Sequence, residues 1–267
     1  MFDLRRFLRL AAAQWAEYRK TYAWFLGIGI IVHFVLVLAL LSGDGFRMLN
    51  TDGQGAIYFA GLYLTAPIFA ARYFQAMSRP ESALVALMRP ASAFEKWLLA
   101  LIVVAVAYPV AYTLAYYVCN VPASWLAATA ASEELARQAG AAGTYPVDSL
   151  QPARFRLFHV WNELEGALDW TPVLLSLTAV QAFGVLGSLY FRSMPFIKTI
   201  LAGFVLLLLS ILVSAVLQGR PETFFGFWRD NAVIGGWQAV YVPLVWFGVP
   251  ALLWLGCLFA LRERELA

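Results

Sequence analysis

Charge is the scarcest property of this chain. Of 267 residues, 13% are Asp, Glu, Lys or Arg and 62% are hydrophobic, whereas a soluble domain carries about 25% charged residues. That balance excludes an ordinary water-soluble globule. The net charge of +3 is too small and too scattered to be a nucleic-acid footprint. Lysine is rarer still. Lys20, Lys96 and Lys198 are all there is, and none follows a glycine-rich loop. With no Gly-x-x-x-x-Gly-Lys-Ser/Thr sequence, the chain does not bind and hydrolyse ATP in the usual phosphate-loop manner. Two histidines, His33 and His159, and two cysteines, Cys119 and Cys257, are too few and too far apart for a conventional metal site. The cysteines fall near opposite membrane faces in the topology below, so no disulfide framework is implied.

Catalytic constellations are missing too. There is no Ser-x-x-Lys pair and no Gly-x-Ser-x-Gly elbow. Glu133-Glu134 followed by Arg137 superficially matches the Glu-Glu-x-x-x-Arg motif of intramembrane CAAX-type proteases. The spacing is one residue short and the expected histidines are absent, so that reading is rejected. The apolar runs carry almost no charge. A pore for hydrophilic ions needs rings of charge or exposed carbonyls, and a proton-coupled carrier needs buried carboxylates.

What is present is apolar sequence in runs of about 20 residues, enough to cross about 30 Å of hydrocarbon. The runs are continuous and do not alternate, which excludes a transmembrane β-barrel. The expected fold is all-α: a polytopic membrane protein in one transmembrane domain, residues 1–267, with six transmembrane helices at about 21–41, 55–75, 94–118, 171–191, 196–217 and 236–261. Residues 1–20 lack the apolar core and cleavage site of a signal peptide. Leu4, Leu8, Ala11, Trp15 and Tyr18 recur there at helical spacing beside Arg5, Arg6, Arg9 and Lys20. That pattern suits an interfacial helix in the headgroup plane; the alternative is a plain lead-in to the first span.

Placing both termini in the cytoplasm leaves only Arg47, Arg137, Arg154, Arg156, Arg220 and Arg229 outside, of 19 Lys and Arg, as the positive-inside rule asks. Residues 77–97 then face the cytoplasm. They carry two capping-box spacings, Ser78 with Glu81 and Ser92 with Glu95, separated by Arg89-Pro90, which ends a helix. The reading is a short separate helix followed by a new one from about Ala93. It is either a well-capped turn or a docking element for a soluble partner.

On the outer side, residues 120–170 read as a helical insertion. An alanine-rich helix covers Ser124 to Gln138, and a second starts from Ala153, with Leu157, Trp161, Leu164 and Leu168 as its stripe. Residues 218–231 hold Pro221, Phe224, Phe225, Phe227 and Trp228, either a re-entrant segment or an aromatic-belt loop. His33 lies mid-span, where a titratable group is a functional candidate or a neutral imidazole bonded to another helix. The polar residues of the spans read mostly as helix–helix glue. His33, Thr65, Tyr112, Tyr116 and Gln181 are the candidates for a substrate path. Anything touching them would be lipid-like, amphipathic or a hydrophobic peptide.

The lead helix, the six spans, the cytoplasmic segment and the run Arg-Pro-Ala-Ser-Ala-Phe-Glu-Lys-Trp-Leu (Arg89 to Leu98) resemble membrane subunits of ABC transporters of the ABC-2 permease class. In such permeases a Leu-Pro-Ala-Ser-x-x-Glu-Lys-Phe run is common. The resemblance implies a multi-pass protein of the bacterial inner (cytoplasmic) membrane whose partners are an ABC ATPase subunit and a second permease copy or a homologous one. ATP and Mg would sit on the ATPase, with no cofactor bound by this chain. Ser78, Arg79, Glu81, Leu84, Leu87, Arg89 and Glu95 would form the coupling segment that docks on the ATPase. The insertion at 120–170 is larger than in many such permeases and the aromatic segment shorter. Two other readings stay open: a non-transporting scaffold or sensor subunit of an envelope-assembly complex, and a lipid-modifying membrane enzyme.

Overall fold

The structure is a computed structural model that describes residues 2–41, 44–74, 91–139, 151–160, 167–191, 195–218 and 238–266. Among them every regular element is helical. The helices are α1 (Leu4–Leu41), α2 (Thr51–Tyr73), α3 (Ala93–Leu101), α4 (Tyr108–Ala139), α5 (Ala167–Tyr190), α6 (Pro195–Gln218) and α7 (Gln238–Leu266). A π-turn, Ile102–Ala107, joins α3 to α4. Short 3₁₀ turns cover Asp44–Leu49 and Pro152–Phe155. Four stretches are long and apolar enough to cross a membrane: Thr51–Tyr73, Ala93–Gln138, Trp170–Tyr190 and Pro243–Arg264. In α6 the apolar stretch that stands out is the shorter Ile197–Leu206.

Two boundaries differ from the sequence reading. No break separates a lead helix from a first span at Lys20, because α1 runs unbroken from Leu4 to Leu41. Its start is capped by Asp3, whose carboxylate accepts the Arg5 N–H at 2.8 Å. Likewise the alanine-rich stretch from Ser124 is not a separate helix but the continuation of α4. At 1.5 Å per residue α4 is about 48 Å long, well beyond the ~30 Å of a hydrocarbon core. Nothing in it signals a stop. Alanine is the best helix former, Pro122 removes a single N–H, and Ser124, Thr129 and Ser132 bond back to carbonyls three residues earlier rather than capping a new start.

The second expected insertion helix, from Ala153, is also absent at its start. Residues 152–155 make one 3₁₀ turn, and residues 156–159 have no regular structure. The reason lies in the backbone. The carbonyls of Arg154 and Arg156 accept hydrogen bonds from side chains of α2, so they are held away from a helical ladder. Trp161 and Leu164 lie outside the described residues.

The chain divides into two compact units. The first holds Met1–Ala13, Tyr63–Tyr108 and Leu164–Ala267. Within it α5 is the centre, packed on α6 and α7, while α7 also meets α3. Val185, Leu189, Trp254, Leu258 and Leu261 are buried there. The Arg264 guanidinium donates to the Leu189 carbonyl, closing one of the open carbonyls at the end of α5. Gly184 lets α5 approach Pro67 closely: a Cβ there would lie 2.9 Å from the Pro67 oxygen and 3.0 Å from the Ala70 Cβ. Backbone cannot yield as a flexible side chain can. Gly184→Leu is therefore expected to cost roughly 1–3 kcal/mol, read as a lower unfolding midpoint in detergent.

The second unit holds Gln14–Leu62 and Pro109–Glu163. Its apolar cluster joins Val37 of α1, Phe46 and Leu49, Phe155, and the Ala123, Ala127 and Ala131 face of α4. Three alanines four apart form one smooth stripe, against which the two phenylalanines fit, their ring centroids 6.0 Å apart.

Candidate functional site

Two polar constructions stand out, one in each unit. The first begins with Ser92, whose backbone is extended at φ −70°, ψ 155°. Its hydroxyl accepts the Glu95 N–H at 3.3 Å, and Glu95 Oε2 accepts the Ser92 N–H at 3.0 Å. This is the reciprocal capping box expected from sequence. Glu95 does more than cap. Its Oε2 takes the Arg6 Nε at 2.8 Å, and its Oε1 takes an Arg6 terminal nitrogen at 2.6 Å and the Asp3 N–H at 3.0 Å. The carboxylate is 0% exposed while Arg6 keeps 38% of its side chain open. A planar guanidinium fork on a carboxylate is the strong form of this interaction. So Glu95 ties the start of α1 to the start of α3. Around this clamp, Phe94 meets Phe2 edge-on at 6.3 Å, and Trp97 Nε1 donates to the Trp254 carbonyl at 2.8 Å.

Of the expected docking residues only Glu95 can be placed; Ser78, Arg79, Glu81, Leu84, Leu87 and Arg89 lie outside the described residues. Glu95 is buried against the chain itself. The sequence reading missed Arg6 and Asp3 as its partners. Asp3 was legible as a cap, since Asp-Leu-Arg-Arg opens a helix, but its pairing with a residue 92 positions away was not.

The second construction is an amide network. Gln54, 1% exposed, uses its whole hydrogen-bonding capacity. It donates to the carbonyls of Leu49 at 2.6 Å and Arg156 at 3.1 Å, and it accepts from Asn120 Nδ2 at 2.6 Å and the Phe158 N–H at 3.0 Å. Asn120, 2% exposed, also donates to the Tyr116 hydroxyl at 2.9 Å. Tyr58 pairs with Thr113 at 2.8 Å and gives its carbonyl to the Tyr112 hydroxyl at 3.1 Å. His33 meets the Tyr116 ring edge-on at 5.9 Å, with Asn120 as its polar neighbour.

Thus His33, Tyr112 and Tyr116, three of the five path candidates, share the second unit, while Thr65 and Gln181 belong to the first. Thr65 bonds Tyr108, which stacks on Phe69 at 4.4 Å. Gln181, fully buried, donates to the Val104 carbonyl at 2.8 Å. That bond explains the π-turn. The Tyr108 N–H goes to the Val103 carbonyl, and the next residue, Pro109, has no N–H to offer Val104. Gln181 supplies the missing donor from outside the helix. Gln181→Glu, which keeps the shape but loses the donor and buries a carboxylate, is expected to cost more than Gln181→Leu, itself about 1 kcal/mol; ranked unfolding midpoints test this.

Among the described residues no three His, Cys, Asp or Glu side chains stand together to hold a metal ion. Glu134 pairs with Arg137 at 3.3 Å on the surface of α4. The chain matches no family model, no curated protein and no solved structure.

Proposed function

We propose that this chain is the membrane-spanning subunit of an ATP-driven ABC exporter, working with a separate ATPase and a second permease subunit on a lipid-like or amphipathic cargo. The reading keeps six spans with both termini in the cytoplasm. The observation that carries it is the Ser92–Glu95 capping box and the clamp it makes with Arg6. A coupling segment transmits force only if its end is stiff. Here the helix that follows the segment starts at a double-bonded cap, and the same carboxylate grips the first turn of α1. A push on residues 77–91 would therefore reach α3 and α1 together. The near absence of charge in the apolar helices favours a cargo that is itself largely apolar.

The test is affinity purification from native membranes. An ATPase that co-purifies, and whose activity follows the chain, supports the reading; its consistent absence, together with no ATP-driven export by reconstituted vesicles, ends it. Charge reversal at Arg79, Glu81 or Arg89 is expected to weaken ATPase assembly while leaving the unfolding midpoint unchanged. Normal co-purification with such variants would count against the docking role, and labelling of cysteines placed at 78–89 from the outer side would remove it.

A further inference from the structure

In the second unit, residues 151–160 are held as a ligand would be held. From Arg154 on, their backbone bonds to side chains of α2 and α4. The carbonyls of Arg154 and Arg156 accept the Thr51 hydroxyl at 3.1 and 3.4 Å. The Arg156 carbonyl also takes Gln54 Nε2 at 3.1 Å, and the Phe158 N–H goes to Gln54 Oε1 at 3.0 Å. Two residues on, the Val160 N–H goes to the Tyr117 hydroxyl at 3.4 Å. The side chains sort the same way. Phe155 is 1% exposed, Phe158 4% and Val160 2%, while Arg154, Arg156 and His159 are open. Each phenylalanine has its own seat. Phe155 meets Phe46 at 6.0 Å. Phe158 fills the space a Cβ on Gly55 would need, with the Tyr58 and Phe59 rings 6.1 and 6.2 Å away.

A plain connection runs over the surface and leaves such backbone groups to water. Main-chain bonds for grip and apolar seats for spaced side chains are how proteins take up an extended peptide. Gln54 narrows the ligand class. Its amide gives a hydrogen to one carbonyl and takes one from the N–H two residues later, a pattern that a peptide presents at fixed spacing and an acyl chain does not. We infer that Thr51, Gln54 and Tyr117, with the seats of Phe155 and Phe158, form a binding site for an extended peptide carrying two aromatic residues three apart. Residues 151–160 occupy that site as a built-in competitor. The peptide's role as cargo rests on the exporter reading; the site itself does not. A tethered segment acts at an effective concentration of the order of millimolar, so a free peptide gains the site only where the built-in one is loosened or outnumbered.

The test uses the full-length protein in nanodiscs and a fluorescent peptide with the sequence of residues 152–160, Pro-Ala-Arg-Phe-Arg-Leu-Phe-His-Val. Phe158→Ala loosens the built-in segment, so the peptide should bind that variant at least about tenfold more tightly than the unsubstituted protein. Two altered peptides read the site from the ligand's side. Methylation of the backbone nitrogen of the second phenylalanine removes the bond to Gln54 and should weaken binding on the order of three- to tenfold. Serine in place of both phenylalanines should abolish saturable binding. These comparisons change the ligand alone; where Phe158→Ala fails to fold, they are made on the unsubstituted protein at about 1 mM peptide. Equal binding of the three peptides overturns the inference, as does uptake no greater than by empty nanodiscs. Selective peptide binding without any ATPase partner would keep the site and remove the exporter reading. ATP-driven export by a protein that takes up none of the peptides would do the opposite.

Discussion

Gln54→Leu is expected to be the most damaging single change in the second unit. Leucine matches the volume but offers no hydrogen bond. The Leu49 carbonyl, the Phe158 N–H and one hydrogen of Asn120 lose their partner together. The Arg156 carbonyl keeps the Thr51 hydroxyl at 3.4 Å. Each stranded buried group costs about 1–3 kcal/mol, so the sum is about 3 kcal/mol or more, a large part of a typical domain stability of about 5–15 kcal/mol. The added apolar surface offsets little, because the surroundings are polar. The effect should be local first. Residues 151–160 are tied to α2 through Thr51, Gln54 and the Phe158 ring, which occupies the space a Cβ on Gly55 would need, at 2.9 Å. Trypsin cleavage after Arg154 and Arg156 requires that backbone to open, so it should accelerate in Gln54→Leu before the unfolding midpoint is reached. Asn120→Leu should do less, and the two changes should not add. Unchanged cleavage and an unchanged midpoint would show that the network contributes nothing.

The contrast between these two sites explains what the sequence could disclose. Local rules carried far. Ser92 and Glu95 are three apart, and that spacing was enough to place the start of α3. Long apolar runs were enough for an all-helical fold with helices of membrane-crossing length. The failures have two causes: a rise in polarity read as a helix end, and partners distant in the chain. Lys20 and Asn120 look like ends because polarity rises there. A helix ends, however, only where a cap or a breaker stops it; α1 has neither at Lys20, and in α4 Pro122 removes a single N–H without ending the helix. Leu157 and its neighbours have helical spacing, yet Thr51 and Gln54, about 100 residues earlier, take the carbonyls of that segment. Gln54 itself stands one residue before the expected second span. The available signal was a glutamine at the rim of an apolar run, which must find four partners once buried. Pro109 declares a missing N–H by its residue type; the identity of the compensating donor, Gln181, was not legible.

Glu95→Ala tests the mechanical claim, and its effect on function should exceed its effect on stability. The carboxylate holds four donors at once: two nitrogens of Arg6, the Asp3 N–H and the Ser92 N–H. Alanine removes all of them. Loss of the capping box alone costs about 1 kcal/mol, while Arg6, already part-exposed, returns to water. Arg6→Ala is milder, since the carboxylate keeps both backbone donors; the double variant should be no worse than Glu95→Ala alone. Hydrogen exchange at residues 4–7 distinguishes detachment of α1 from general loosening: faster exchange there, with exchange in α5 and α7 unchanged, is the expected pattern. If the exporter reading is right, the ATPase still assembles on Glu95→Ala, because the Glu95 carboxylate is taken up by Arg6, Asp3 and Ser92 of this chain and the docking contact falls to Ser78 through Arg89. ATP turnover then continues while export falls, since the push no longer reaches α1. Stability loss with coupling intact would make Glu95 a cap and nothing more.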